Sequence, residues 1–338
     1  MRGWNQPEVD QRKAGNNLLI VDGMNLSFRF KHRGLTEFAT DYLKTINSFA
    51  KSYSCKDIVC LTDFKGSKYR KELYPEYKGN RDYSNQTEQE KEQAEAFFEG
   101  YGRALELIDK SPVHLLKFPG IEADDVATYL VQALEEQYDN IWLISTDRDW
   151  DELLSPTVHR FSFANRKEWF VANFFEDHGC DDPEQYVMLK CLQGDLSDGI
   201  RGVEGIGVKR AYNIIRNYET MHDLIDDLPL SGNQKFIQNL NASEDLLLRN
   251  LELMDLFLTN GGRAIPKLIA LDKENNVLNT WGPRPTIATK MVADYKIKHG
   301  SLDAEFKQDL QVWYNKNKGQ SVQEDFMQLI QKSTLKEV

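Results

Sequence analysis

A chain of 338 residues, 41% hydrophobic and 28% charged, is long enough for two or three compact units and excludes a fibrous or disordered protein. Its formal charge of −11 argues at first sight against a nucleic-acid partner. Much of that acid, however, lies in short motifs at element ends and in one run, Glu88 to Glu99, that reads as a solvated helix face.

The first 17 residues are polar, without the apolar stretch of a signal peptide. Apolar runs are far shorter than the roughly 20 residues of a membrane span. Cys55, Cys60, Cys180 and Cys191 show no CxxC spacing and read as reduced packing residues, so a cytoplasmic location is expected.

Three apolar runs end in an aspartate: Leu-Leu-Ile-Val-Asp22, Ile-Val-Cys-Leu-Thr-Asp63 and Ile-Trp-Leu-Ile-Ser-Thr-Asp147. Such continuous runs suit strands buried on both faces, as in a parallel sheet. Helical patterns lie between them, over Thr40–Lys51 and Ala123–Gln137, so residues 17–180 read as an α/β unit. Functional groups of such sheets gather beyond the carboxyl ends of the strands, where all three aspartates sit.

From Asp181 the pattern turns helical. Asp182-Pro183 starts a helix that Gly194 stops. Gly202-Val-Glu-Gly205-Ile-Gly207-Val-Lys209-Arg210-Ala211 then makes a tight turn opening a helix through Arg216.

Further acids stand as Glu122-Ala-Asp124-Asp125, Asp147-Arg-Asp149 and Asp195-Leu-Ser-Asp198. Gathered in one cleft they would repel one another by several kcal/mol unless cations intervene. An all-oxygen set with no His or Cys favours Mg²⁺ or Mn²⁺. Two such ions about 4 Å apart would activate water and steady the attacking and leaving oxygens of a phosphodiester. An isolated Asp-x-Asp is more often a loop or helix cap than a ligand; the reading rests on four clusters at element ends with no competing Ser-His-Asp, P-loop or Cys/His grouping.

Outward backbone amides at Gly202, Gly205 and Gly207, followed by Lys209 and Arg210, would hold a phosphate without reading bases. A basic stretch from Lys65 to Arg81, interleaved with Tyr69, Tyr74 and Tyr77, suits a single strand.

Taken together, Leu18–Gly23, Pro75–Asp82, Gly120–Asp125, Ser145–Asp151, Gly194–Asp198 and Gly202–Ala211 resemble phage-type flap endonucleases, relatives of the 5′-nuclease domain of bacterial DNA polymerase I. The resemblance covers residues 17–258. It implies a PIN-like α/β nuclease core over 17–180 with a helical arch over 65–100, then a helix-3-turn-helix region over 181–258. It also implies a two-metal, structure-selective 5′-nuclease acting on DNA with a 5′ flap or 5′ end at single-strand/duplex junctions, a monomer without membrane contact.

By that resemblance Asp22, Asp63, Glu122, Asp124 and Asp125 serve one metal site, and Asp147, Asp149, Asp195 and Asp198 complete the second. Lys78 and Arg81 grip the scissile phosphate, Tyr77 stacks on a base, and Lys190 lies near the leaving strand. Arg29 and Arg70 join the hairpin in holding DNA, and Gly202–Gly207 takes a potassium ion. Arg148 departs from the pattern, since glycine is expected between the two aspartates; a cation there would compete with metal or contact DNA.

Two other readings are open: a PIN-type RNase, against which the hairpin and the basic segment argue, and a catalytically inactive DNA-binding protein. The tail, 259–338, resembles the second half of a thioredoxin-like domain through Ile265-Pro266 and Trp281-Gly-Pro-Arg-Pro285. It is expected to form a β-hairpin and three helices, without room for a CxxC helix. Residues 1–16 are expected to be an N-terminal extension.

Overall fold

The structure, a computed structural model, describes residues 15–64, 66–81 and 87–256. Lys65, nearly all of the expected N-terminal extension and the expected thioredoxin-like hairpin and helices lie outside the described residues.

The first strand, β1 (Asn17–Asp22), carries the apolar run whose Leu18 to Val21 are fully buried. It is followed by α1 (Gly23–Lys31), α2 (Ala39–Ser52) and β2 (Cys55–Leu61). The arch region contributes α3 (Lys68–Leu73) and the long α4 (Glu88–Asp109), which begins at a capping box made by Thr87 and Glu90. Next come β3 (His114–Leu116), α5 (Ala123–Leu134), β4 (Asn140–Ile144), β5 (Val158–Ser162) and β6 (Lys167–Trp169). The Glu88–Glu99 acids do form the exposed face of α4.

One six-stranded sheet has the order β3-β2-β1-β4-β5-β6, parallel except for the edge strand β6. Strand order therefore reverses beside β1, which pairs with β2 on one side and β4 on the other. Such a switch point opens a crevice at the carboxyl edge of an α/β sheet. Asp22 ends β1, and Asp63 and Asp147 follow the ends of β2 and β4 at that same edge. One face of the sheet is covered by α1, α2 and α4, where Leu19 and Val21 pack with Leu26, Phe30, Tyr42, Ile46, Phe97 and Tyr101.

The helical part comprises α6 (Phe174–His178), α7 (Pro183–Gln193), the hairpin β7 (Gly194–Asp195) and β8 (Ile200–Arg201), then α8 (Val208–Ile215), α9 (Met221–Asp226), α10 (Lys235–Asn241) and α11 (Glu244–Met254). Asp182 caps α7 and Pro183 takes its first turn, as the sequence predicts. Buried Asn250 of α11 ties this part together, donating to the carbonyls of Cys191 and Arg201 at 3.0 and 2.8 Å.

Beneath the sheet edge lies a buried ion pair. Arg160 of β5 donates to both oxygens of Asp151 and, at 2.9 Å, to the Ser145 carbonyl. It fixes the loop from β4 to the short 3-10 turn Asp149–Leu153 that carries two of the expected ligands.

Candidate active site

Nine acidic side chains from five stretches of chain come together at the switch point. Their electrostatic coupling traces the cluster: Asp22 senses Asp63 and Asp147, Asp124 senses those three and Glu122, and Asp198 senses Asp195 and Glu122. Asp63 senses Glu122 and Asp125, and Asp147 senses Asp149 and Asp198. Asp124, Asp149, Asp195 and Asp198 line one cleft together with Arg70, Tyr77, Lys190 and the chain end of α11.

The cluster divides by what each carboxylate touches. Asp22, Asp63, Asp124 and Asp147 are held by neutral donors. Asp22 accepts from the Asn25 amide at 3.1 Å and the Ser145 hydroxyl at 2.8 Å. Asp63 accepts from the Ala123 amide at 2.6 Å, Asp124 from the Trp150 indole at 2.6 Å and Asp147 from the Asp149 amide at 3.0 Å. Among the described residues, the second oxygens of Asp63, Asp124 and Asp147 take no hydrogen bond.

Burial pushes Asp22 up to about 7, and its two hydrogen bonds only partly offset that. Burial likewise raises Asp63, Asp147 and, well above the ordinary range, Asp124, with neighbouring carboxylates adding to the effect. Among the described residues none of these four is held in a direct ion pair, although Lys78 and Lys190 partly offset the rise at Asp63 and Asp147 from a distance.

Glu122, Asp125, Asp149 and Asp198 are instead paired with cations. Lys78 reaches Glu122 at 2.5 Å and Asp198 at 3.7 Å, and Arg81 reaches Asp198 at 2.8 Å. Lys190 lies 3.0 Å from Asp149. Burial would raise Glu122 and Asp149 too, but Arg70 and Lys78 beside the first and Lys190 beside the second outweigh it, holding both below the usual carboxylate range. For Asp198 burial prevails over Lys78 and Arg81, and the carboxyl is raised. Asp195 accepts from both the amide and the hydroxyl of Ser197 at 2.7 Å, a local turn that fixes the β7–β8 connection.

Among the described residues no three of these carboxylates form a ready-made cage for one ion. The donor set nonetheless fits divalent cations. It is all oxygen, and three members, Asp63, Asp124 and Asp147, each keep one oxygen open to a ligand.

A family model described as 5′-3′ exonuclease, N-terminal resolvase-like domain, matches residues 17–179. A second, 5′-3′ exonuclease, C-terminal SAM fold, matches 181–259. The chain belongs to the 5′-3′ exonuclease family. It is 52% identical over 254 residues to the flap endonuclease of Escherichia phage T5, covering 74% of this chain and 87% of that protein. It is 31% identical over 242 residues to a 5′-3′ exonuclease of Bacillus subtilis, covering 66% and 78% of the two. A crystal structure of the phage T5 flap endonuclease, a pseudo-enzyme–product complex with DNA and metal ions, superposes with a TM-score of 0.72 at 49% identity, covering 77% of this chain and 94% of that one. A thioredoxin model matches residues 234–296.

Several expected roles change in this family member once side chains are placed. Arg70, expected to hold DNA, is only 6% exposed and faces the acidic cluster. It donates to both oxygens of Asp125 at 2.7 Å and to Glu122 at 2.9 Å. Asp125 thus has both oxygens committed to a guanidinium and is a clamp for Arg70 rather than an open metal ligand. Tyr77, expected to stack on a base, is 4% exposed, with its ring packed in the core of the helical part. Its hydroxyl bridges Glu122 at 3.0 Å and Asp198 at 3.1 Å, tying the arch to the helical part. Arg148 turns its guanidinium to His178 Nδ1 at 3.0 Å, which accepts from it, and away from Asp147 and Asp149.

The hairpin also differs in detail. Gly202 is required by close packing, because a Cβ would stand 2.1 Å from the Gln193 carbonyl carbon. Gly205 holds φ +83°, the left-handed region. Gly207, Lys209 and Arg210 are exposed at the start of α8. Arg210 donates to the Gly205 carbonyl at 2.5 Å and lies 4.6 Å over the Phe236 ring, so it braces the hairpin. Arg29 is exposed on α1, one turn beyond Asn25, whose side chain binds Thr146 at the cleft edge.

Sequence reading missed Glu152, buried and paired with Lys190, and the supports Ser145 and Trp150. All three adjoin the Asp147–Asp149 motif, and proximity was the available signal.

Proposed function

We propose that the chain is a structure-selective 5′-nuclease that hydrolyses DNA phosphodiesters at 5′ flaps and 5′ ends with two divalent cations, Mg²⁺ or Mn²⁺. The observation that carries this reading is the division of the acidic cleft into carboxylates held only by neutral donors and carboxylates paired with cations.

Asp22, Asp63, Asp124 and Asp147 would hold the cations, with Glu122, Asp149, Asp195 and Asp198 within the same cluster to complete the two sites. When bound, such ions supply an acidified water and charge stabilisation for the leaving oxygen. The protein's own part is to orient and neutralise. The Asn25 amide, the Ser145 hydroxyl, the Ala123 amide and the Trp150 indole fix one oxygen of Asp22, Asp63 or Asp124 each, so the ligands are preorganised. Lys78 and Arg81 bind Glu122 and Asp198 in the absence of substrate. An arriving scissile phosphate would take over these two cations, and the carboxylates would turn to the metals. Lys190 keeps Asp149 ionised and lays a positive charge along the cleft wall.

The N-terminus of α8, with exposed Gly207 and Lys209, would grip duplex phosphates without reading sequence, and binding would weaken with salt. In the hairpin the carbonyls of Glu204 and Gly205 accept from Asn239 and Arg210, and the reading does not depend on a potassium ion there. No step is assigned to it.

The test is cleavage of a labelled 5′-flap duplex in Mg²⁺, beside a 5′-ended duplex and single-stranded RNA. Cuts near the flap junction are expected. Preference for the RNA, or no product in either Mg²⁺ or Mn²⁺, would refute the reading.

A further inference from the structure

The last described segment, 253–256, runs along the catalytic cleft and reaches into both halves of the acidic cluster. The Leu253 carbonyl accepts from Arg70 Nε at 2.8 Å, and Arg70 in turn holds Glu122 and Asp125. Three residues on, the Leu256 amide donates to Glu152 Oε2 at 3.0 Å. The other oxygen of Glu152 pairs with Lys190, which binds Asp149. Leu253, Met254 and Leu256 line the same cleft as Asp124, Asp149, Asp195 and Asp198.

We propose that Glu152 is a positioning residue of the nuclease reaction, holding Lys190 against Asp149 from beneath, and that the backbone of Leu256 anchors it. Segment 253–256 then belongs to the catalytic machinery. The proposal rests on the role given to Lys190 above.

The geometry favours positioning over mere stability. Glu152 is 1% exposed, and a buried ion pair commonly stabilises no better than apolar residues of the same volume. What this pair does supply is direction. Lys190 sits between two carboxylates with its ammonium 5.4 Å over the Tyr186 ring, which leaves its long side chain little freedom. A lysine so fixed meets an incoming phosphate without first being ordered. Glu152 touches neither the water nor the scissile bond in this scheme, so its influence must pass through Lys190.

The experiment is a double-mutant cycle in the full chain, with single-turnover cleavage of a 5′-flap duplex in Mg²⁺ and DNA affinity in EDTA. Lys190→Met is expected to lower kcat about 10²-fold with Kd changed less than about threefold, and Glu152→Gln to lower kcat about 10-fold. The double variant should be no slower than Lys190→Met alone, because the two act as a unit. Effects that multiply would overturn the proposal, as would wild-type kcat in Glu152→Gln. Should Glu152→Gln fail to fold, the double variant, which removes both charges of the Glu152–Lys190 pair, still tests the proposal: a rate below that of Lys190→Met would overturn it. Wild-type kcat in Lys190→Met would remove the underlying role of Lys190 itself. Leu256→Pro, which deletes the anchoring N–H, should lower kcat as Glu152→Gln does; unchanged kcat would release the segment from the machinery.

Discussion

At the residue scale, charge compensation separates side chains that look equivalent on paper. Asp124 and Asp125 are neighbours in one motif, yet the first accepts from Trp150 and the second is spent on Arg70. Asp147→Asn should therefore lower cleavage by at least about 10²–10³-fold, while DNA affinity without metal holds or improves as repulsion is relieved. Lys78→Ala should slow the cut by about 10²-fold. Arg148→Gly should leave kcat within about threefold of wild type, since its guanidinium faces His178. Single-turnover rates and Kd values check all three. The acids themselves were legible because each stands at an element end. Their partners were not, because Arg70 and Tyr77 occur in a basic, aromatic stretch that reads as solvent-facing, and only tertiary packing shows them buried.

Elements set where those residues meet. Strands β1, β2 and β4 are plain in the sequence because parallel strands buried on both faces need continuous apolar runs. Strands β3 and β6 are three residues each, and β5 carries His159 and Arg160, so none of them shows such a run. Yet β5 matters, because Arg160 anchors Asp151 below the ligand loop. Arg160→Leu leaves Asp151 buried without its guanidinium and should destabilise the fold by about 3–5 kcal/mol, read by urea unfolding. The hairpin spacing was legible, whereas the reason for Gly202 was not: it answers a close approach of Gln193 rather than a need for exposed amides.

Across the whole molecule, crowding of like charge links stability to pH and metal. Asp22 and Glu152 are pushed up to about 7, so the folded chain holds protons there that the unfolded chain releases near pH 4. The stability these groups contribute is complete below about pH 4 and is lost as pH rises toward about 7. His159, lowered to about 4 by burial, opposes this over the same interval but is one group against two. Glu122 and Asp149, held low, act in the opposite sense only in more acidic solution. Metal-free protein should thus show a falling Tm from about pH 4 to about pH 7, and Mg²⁺ should reverse the fall at neutral pH by stabilising the ionised carboxylates. A Tm that rises over this interval without metal would contradict the assignment. The net charge of −11 was the least informative feature of the sequence, since the acids that matter are concentrated at one sheet edge.

The central claim is that these gathered carboxylates work by holding divalent ions over a DNA backbone. The rate of 5′-flap cleavage as Mg²⁺ is titrated, for wild type beside Asp124→Asn, tests it most directly. Wild type should show no product in EDTA and a rate that climbs steeply with Mg²⁺, while Asp124→Asn binds the flap and stays inactive at every concentration. Cleavage in EDTA, or equal rates for the two proteins, would contradict it.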